Sequence, residues 1–439
     1  MLFVIRSFIA AAGVFALATS AWSQAPTLGA SQRTAAIEGV IRQIERNYVF
    51  PEIGKRMGDA IRQRAARGQY NDITEGNELA GRLTAHLREA GKDMHVAVNY
   101  SPAVLPPERA GSPVPTPLEM ARFKTDLARD NFGFRRVEIL PGNVGYIRID
   151  LFTPPEFAGE TYTAAMTFVA ETDALIIDLR ENGGSISPDA IPMFSTYFFE
   201  RPTHLIDLKW NFEENPRQLW TWAYVPGKRY LTKPMYVLTS RKTFSGAEQF
   251  AYDLKNLKRA TIIGDTTGGG ANPGGTRRAS DHFAVFVPFG RVTSPITKSN
   301  WEGVGVAADI VVPANKALLI AQQEALRKLK AGATDDRQKG ALAAAEADVN
   351  TKLTRFRRVV FELSGHEKAK EVFVAGAFNS WSPKATPLAR RGSKWIVEME
   401  LEVGDEPYKY IVDGEWILDP ANPATEGDGK YVNSVRTVK

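Results

Sequence analysis

Met235-Tyr236-Val237-Leu238-Thr239-Ser240-Arg241-Lys242-Thr243-Phe244-Ser245-Gly246-Ala247-Glu248 is the stretch on which the reading of the fold turns. Its first five residues suit a buried strand, and a short polar turn then leads into a helix expected to open at Ser245. Similar short apolar runs stand at Val144–Asp150, Ala174–Leu179 and Thr261–Gly264, with helices expected after several of them and a last one over Asn315–Leu329. Buried strands alternating with helices define an α/β core. A serine at this helix start lies where amide groups and the positive dipole end stabilise an oxyanion, and Gly246 lets an acyl group approach its N–H. Ser245-x-x-Glu248 is equally the pattern of a capping box, so the spacing alone leaves a purely structural role open.

Outward from this core the character of the chain changes. Between Ala35 and Ala90, Ile37, Val40, Ile41 and Ile44, then Met57, Ile61, Leu79, Leu83 and Leu87, recur at helical spacing and predict a helical subdomain over residues 30–92. Six prolines between Pro102 and Pro117 exclude regular structure there and mark a seam. The core is expected over 93–330. Residues 331–353, polar and Ala-rich, read as a solvated linker without an apolar face, helical or not. From Phe356, short β-like runs at Val359–Leu363, Glu371–Ala375, Trp395–Leu401 and Tyr408–Val412, with Asp413-Gly414 as a tight turn, predict an all-β sandwich over 354–439.

Composition narrows the function. With 439 residues, 44% hydrophobic and 24% charged, the chain is long enough for about three structural units and is neither disordered nor a multi-span membrane protein. Lys and Arg exceed Asp and Glu by 55 − 50 = 5, too thin an excess for a phosphate-tracking surface, and no nucleic-acid partner is expected. The absence of cysteine removes disulfides, thiolate metal sites and cysteine nucleophiles. Arg6, an apolar run from Phe8 to Ala18, and Ala21-Trp22-Ser23 predict a signal peptide over 1–23, cleaved near Ser23/Gln24, with a periplasmic or secreted product and no membrane span after cleavage.

Two further core segments carry chemistry. Asp178-Leu179-Arg180-Glu181-Asn182-Gly183-Gly184 follows the most apolar strand, and its glycines suit a sharp turn with an exposed amide, or simply a strand-to-helix turn. Trp301-Glu302-Gly303-Val304-Gly305-Val306 holds a carboxylate that can orient a histidine, or lie on the surface. The histidines are His86, His95, His204, His282 and His366, and spacing does not choose among them. His95 stands at the start of an apolar alternation, where it could point into a cleft between the helices and the core.

Taken in order, Asp178–Gly184, Thr239–Glu248, Gly264–Gly270 and Trp301–Val306 with Asp309 resemble the S41 peptidases of the tail-specific, tricorn-core and interphotoreceptor retinoid-binding type. The resemblance implies a ClpP/crotonase-like core and assigns Ser245 as nucleophile, with an oxyanion hole of Gly246 and Gly183 or Gly184. Gly269 stands where the C-terminal-processing branch has its lysine base. The tricorn-like branch is matched instead, which implies His95 as base and Glu302 as the group that orients it. Ala271-Asn272-Pro273 replaces a Gly-Ala-His-Pro run of the retinoid-binding relatives, Ala308-Asp309 replaces Pro-Asp, and no stretch accommodates a PDZ domain. The implied reaction is hydrolysis of a polypeptide through an acyl-enzyme, with no cofactor and no metal. The alternatives are an esterase, or a non-catalytic binder of hydrophobic ligands on the same core.

In the C-terminal segment, Val374–Trp381, Trp395, Tyr408–Trp416, Asp419-Pro420 and Asn433 resemble the family 48 carbohydrate-binding module of AMP-activated kinase β subunits, an immunoglobulin-like sandwich. The resemblance implies an α-glucan ligand held by Trp381, Lys409, Trp416 and Asn433, with Trp395, in mid-strand, left to the core.

Overall fold

The computed structural model describes residues 27–107, 116–379, 381–429 and 432–439. The predicted signal peptide and part of the proline-rich seam lie outside them.

The described residues begin with three helices, α1 (Ala30–Asn47), α2 (Pro51–Ala66) and α3 (Gly76–Gly91). Ile37, Val40, Ile41 and Ile44 of α1 and Leu79, Leu83 and Leu87 of α3 are buried, as their spacing predicts. Strand β1 (Ala97–Tyr100) follows and is joined by α4 (Pro117–Arg129), whose start is fixed by Thr116 and Glu119 exchanging backbone contacts ahead of Pro117.

The central sheet comes next: β2 (Phe134–Leu140), β3 (Val144–Ile149), helix α5 (Pro155–Val169), β4 (Ala174–Asp178) and helix α6 (Ala190–Ser195). An excursion through β5 (His204–Trp210) and β6 (Arg217–Trp220) precedes β7 (Met235–Thr239), helix α7 (Gly246–Asn256) and β8 (Thr261–Gly264). Strands β9 (Gly274–Arg278), β10 (Phe283–Pro288), β11 (Gly290–Thr293) and β12 (Ile310–Val311) complete this part. The six-stranded order is β12-β8-β7-β4-β3-β2, parallel from β12 to β3 with an antiparallel β2–β3 edge. All five residues of β4 and of β7 are buried, because helices cover both faces.

β1-β10-β9 form a separate antiparallel sheet whose Val96, Val98, Phe283, Val285 and Val287 pack with α1–α3 into a second core. The molecule therefore has one core built by the α/β layers and another built by the N-terminal helices, and the site described below lies where they meet.

Helix α8 (Ala314–Gly332) covers the far face of the sheet, and α9 (Asp336–Leu353) packs beside it. This corrects the expected solvated linker. Leu342, Ala345 and Val349, at spacings of three and four, make a narrow buried stripe that the surrounding alanines and charges conceal. The segment is thus part of the α/β body and leads at once into β13 (Phe356–Ser364).

The remaining strands are β14 (Val372–Gly376), β15 (Ala389–Arg391), β16 (Lys394–Glu402), β17 (Gly404–Val412), β18 (Glu415–Ile417), β19 (Thr425–Glu426) and β20 (Asn433–Val438). Antiparallel sheets β13-β16-β15 and β14-β17-β20-β19, with β18 on β17, enclose Phe361, Leu363, Val374, Trp395, Tyr408 and Tyr410. Lys316 of α8 pairs with Glu400 of β16 at 2.8 Å and sits over the Phe356 ring, tying this module to the body.

Candidate active site

β4 and β7 are neighbours in the parallel sheet, so the turns at their C-terminal ends are forced together. Their contact is specified in detail. Thr243 Oγ1 donates to the Leu179 carbonyl at 2.8 Å, Phe244 N donates to Asn182 O at 3.0 Å, and Ser240 Oγ donates to Arg180 O. The first turn is itself anchored, since Arg180 grips Asp178 and Tyr146 donates to the same carboxylate at 2.7 Å. Burial opposes ionisation of Asp178, but these partners outweigh it and hold the carboxyl below its ordinary range.

Ser245 sits at the N-cap of α7 with φ 52° and ψ −121°. Such a backbone costs a non-glycine residue about 1–3 kcal/mol and is found where function requires it. The hydroxyl makes no capping bond to the helix. Of the capping box read in the sequence, only the Glu248 half is present: Glu248 Oε2 accepts from Ser245 N at 2.9 Å.

Glu248 does more than cap. Fully buried, it also accepts from Gly270 N and Gly269 N, each at 2.7 Å, and from Thr267 Oγ1. Thr267 Oγ1 accepts in turn from Val306 N at 2.7 Å, and Trp301 Nε1 donates to Gly270 O at 2.8 Å. One carboxylate therefore fastens the serine turn to the 264–270 loop, which holds the 301–306 loop. Burial pushes its carboxyl up to about 7 against the pull of these four donors.

The 301–306 loop presents Glu302. Its Oε2 accepts from Ala271 N at 2.6 Å and Asn272 N at 3.0 Å, whereas Oε1 is buried without a partner. Opposite it, just before β1, lie Asp93 and His95. Asp93 is buried, accepts from Tyr48 Oη at 2.9 Å and from His95 N at 2.8 Å, and its Oδ1 is 3.7 Å from His95 Nδ1. One carboxylate oxygen each of Asp93 and Glu302 and one ring nitrogen of His95 all lie within 4.8 Å of one another. Burial, and then the Asp93 charge, push Glu302 up to about 7.

The His95 ring is clamped between Phe244, at 4.5 Å between centroids, and Phe286 at 6.0 Å. Neither ring nitrogen has a hydrogen-bond partner. Close approach also fixes the glycines: a Cβ on Gly270 would stand 2.6 Å from His95 Cε1, and one on Gly184, where φ is 129°, would stand 2.9 Å from Ser245 Cβ.

His95, Ser245, Gly246, Gly183 and Trp301 line one cavity of about 450 Å³, with Ile206, Leu208, Phe286 and Val292 supplying an apolar wall. Serine and histidine thus reach it from the two different cores. The other histidines are engaged elsewhere: His86 with Tyr70, His204 with Asp207 and the Trp220 ring, and His282 with the Ser101 carbonyl, while His366 sits in a turn of the β module. Of the two candidate oxyanion glycines, Gly184 is a correction, because its N–H already donates to Asn182 Oδ1 at 2.8 Å. Sequence reasoning missed Tyr48 and Thr267, took from the Asp93-x-His95 spacing only the histidine, and saw only a cap in Glu248.

In the β module, register places three of the four predicted sugar contacts on one face. Tyr408 and Tyr410 point into the core, so Lys409 and Ile411 lie on the opposite face of the sheet, where Ile411 is itself covered; Trp416 pairs with Ile411, and Asn433 precedes the buried Ser434 that pairs with Tyr408. Trp416 is exposed, and Trp381, with φ 58°, follows from the end of β14 through a bond to Gly376 O. Trp395 is in the core, as expected, with its indole N–H on the His366 carbonyl.

Comparison with known proteins places both parts. Residues 143–312 match the model of peptidase family S41, and residues 28–141 match the N-terminal domain of Peptidase_S41 in eukaryotic IRBP. Together they span well over half of the chain, which therefore belongs to peptidase family S41, a family of serine-type hydrolases. Residues 359–439 match the glycogen recognition site of AMP-activated protein kinase. In that region the chain is 37% identical over 73 residues to the β-2 subunit of 5'-AMP-activated protein kinase from Mus musculus, covering 17% of this chain and 27% of that one. It is 35% identical over 95 residues to the β-1 subunit from Sus scrofa, covering 21% and 75%. The chain thus spans only about a quarter of the length of the first of these relatives. Among solved structures it is similar to a lipoprotein from Streptococcus agalactiae, at 17% identity, TM-score 0.43 and coverage of 66% and 95%. It is also similar to a photosystem II D1 C-terminal processing protease, at 16% identity, TM-score 0.39 and coverage of 66% and 94%.

Proposed function

We propose that this chain is an exported serine peptidase that cleaves peptide bonds with Ser245 as nucleophile, His95 as base and then acid, and Glu302 as the group that charge-balances the imidazolium. The observation that carries the reading is the single cavity that Ser245 and His95 enter from two different cores, with Gly246 and Gly183 on its wall. The substrate carbonyl carbon is attacked by Ser245 Oγ while its proton passes to His95 Nε2. The oxyanion is held by the N–H groups of Gly246 and Gly183, and His95 then gives the proton to the leaving amine. Water repeats the sequence on the acyl ester. Closure of the serine–histidine hydrogen bond accompanies substrate binding, since both ring nitrogens are unpartnered without it.

The apolar wall of Ile206, Leu208, Phe286 and Val292 suits a hydrophobic side chain next to the scissile bond. The C-terminal module directs the enzyme to α-glucan through Trp381, Lys409, Trp416 and Asn433. Indole faces stack on sugar rings, while ammonium and amide groups take the hydroxyls. Export rests on the N-terminal sequence; among the described residues no helix is long and apolar enough to cross a membrane.

The test is hydrolysis of a mixed peptide library, with cleavage sites read by mass spectrometry. Wild type is expected to cut beside apolar residues and Ser245→Ala to cut nothing. A wild type that cuts no peptide, yet takes up a fluorescent fatty ligand into the same cavity, would replace the enzyme with the hydrophobic-ligand binder.

A further inference from the structure

The catalytic reading uses one carboxylate beside His95, yet the structure buries two. Asp93 and Glu302 flank the ring, Tyr48 orients the first by donating to Oδ2, and the amides of Ala271 and Asn272 orient the second through Oε2. The atoms left over point at an absent positive charge: Glu302 Oε1 and both nitrogens of His95 are buried without partners, and only 8% of the His95 side chain is exposed. A buried imidazole with no bond to either nitrogen, beside two carboxylates, is a poor arrangement for a structural cluster.

The geometry points to a divalent-cation site made by Asp93, His95 Nδ1 and Glu302, which takes Zn²⁺ and holds the hydrolase in an inactive state. The ligand set suits zinc: two carboxylates and a neutral imidazole, with a fourth position open to the cavity. Zn²⁺ lies about 2.0–2.2 Å from nitrogen and oxygen ligands, so tetrahedral neighbours stand about 3.5 Å apart. His95 Nδ1 and Asp93 Oδ1 are at 3.7 Å already, and the whole cluster lies within 4.8 Å, so about 1 Å of contraction closes it. The bonds to Tyr48, Ala271 and Asn272 are the outer contacts that fix ligating carboxylates. Charge favours the ion as well, since two carboxylates and one Zn²⁺ sum to zero where Asp93 and Glu302 otherwise repel.

The consequence for catalysis follows from the ring. With zinc on Nδ1, the one proton of the neutral imidazole resides on Nε2, the nitrogen that must accept the serine proton. The base is disabled while Ser245 and the oxyanion amides stay in place. This regulatory step rests on the peptidase reading; the binding site does not.

Binding is therefore measured first on Ser245→Ala, stripped of metal, by calorimetric titration with ZnCl₂. One ion per chain is expected, with a Kd of about 10 µM or tighter. Asp93→Asn and Glu302→Gln, each added to that background, are expected to weaken it about a hundredfold, and Tyr48→Phe about tenfold. Thermal melts accompany each titration, and if a ligand variant is unfolded the Tyr48→Phe result decides. No binding by Ser245→Ala at about 100 µM Zn²⁺, or an affinity that Tyr48→Phe and the folded ligand variants leave unchanged, overturns the site. In metal-free wild type, hydrolysis is expected to fall with the same midpoint as binding and to return with chelator; binding without loss of hydrolysis overturns the inactive state. A metal-free wild type that never hydrolyses refutes the peptidase reading, while the site still stands or falls by the calorimetric titration.

Discussion

Glu248, in the first turn of α7, and Glu302, in the 301–306 loop, are both buried and both pushed up to about 7, yet they are built differently. Every lone pair of Glu248 that faces the protein is engaged by Ser245, Thr267, Gly269 and Gly270. Glu302 is held through one oxygen and leaves the other bare beside His95. A carboxylate with all its acceptors filled holds loops together, whereas one with an unmet acceptor next to an imidazole is arranged to respond to charge. The serine half of the site is rigid; the histidine half is poised.

The largest expected effect separates chemistry from scaffold. Ser245→Ala and His95→Ala should each lower kcat/KM by about 10⁴-fold or more, with far-ultraviolet circular dichroism unchanged. Ser245→Gly should be equally inactive yet raise stability by about 1 kcal/mol, because glycine relieves the positive φ; a lower melting temperature would contradict the strain.

The glutamates themselves come next. Glu302→Gln should reduce turnover by about 10²–10⁴-fold while leaving the melting temperature level or higher, since it removes repulsion with Asp93. Glu248→Gln should lose about 3 kcal/mol of stability, because its amide nitrogen cannot accept from Ser245 or the glycine loop. The opposite ordering of the two melting temperatures would erase the distinction.

A pH titration sharpens it. Carboxyls whose folded pKa lies above the unfolded value favour the fold while protonated, and that contribution disappears as pH rises through the folded pKa. Burial pushes Asp253, at the inner end of α7, up to about 8, and Glu248 and Glu302 up to about 7. Stability should therefore decline from pH about 4.5 to about 8. Asp253→Asn should flatten the upper part of that decline, as read from urea unfolding at each pH. Activity should rise through pH about 7 as Glu302 ionises.

The smallest expected effects on the peptidase lie in the β module. Trp381→Ala and Trp416→Ala should abolish retention on an α-glucan column while leaving peptide hydrolysis unchanged. Trp395→Ala should instead destabilise the module by about 3–5 kcal/mol, because its indole fills the core.

Much of this was legible in the sequence because the signal was local. Strands β7 and β8 fall on Met235–Thr239 and Thr261–Gly264 as read, and α1 and α3 bury the predicted apolar residues, since periodicity reports burial directly. Ser245, Gly183 and Glu302 were visible as oddities of turn chemistry. The docking of helix α9 was not, because three buried side chains among alanines fall below any apolar-face threshold while still sufficing against α8. The full roles of Asp93 and Glu248 were hidden for another reason: local spacing marks Asp93-x-His95 and the Ser245-x-x-Glu248 cap, but it does not report their distant partners, such as Tyr48 and Gly270. The engagement of the Gly184 amide by Asn182 is a side-chain choice that a glycine pair cannot reveal.

The central claim is that a strained serine and a histidine from a separate core form one activated nucleophile. Labelling with a fluorophosphonate, followed by intact-mass and peptide mapping, tests it most directly. The account predicts a single adduct on Ser245, formed faster as pH rises through about 7 and lost in His95→Ala. No adduct in metal-free wild type, or an adduct on Ser245 that His95→Ala does not slow, would contradict it.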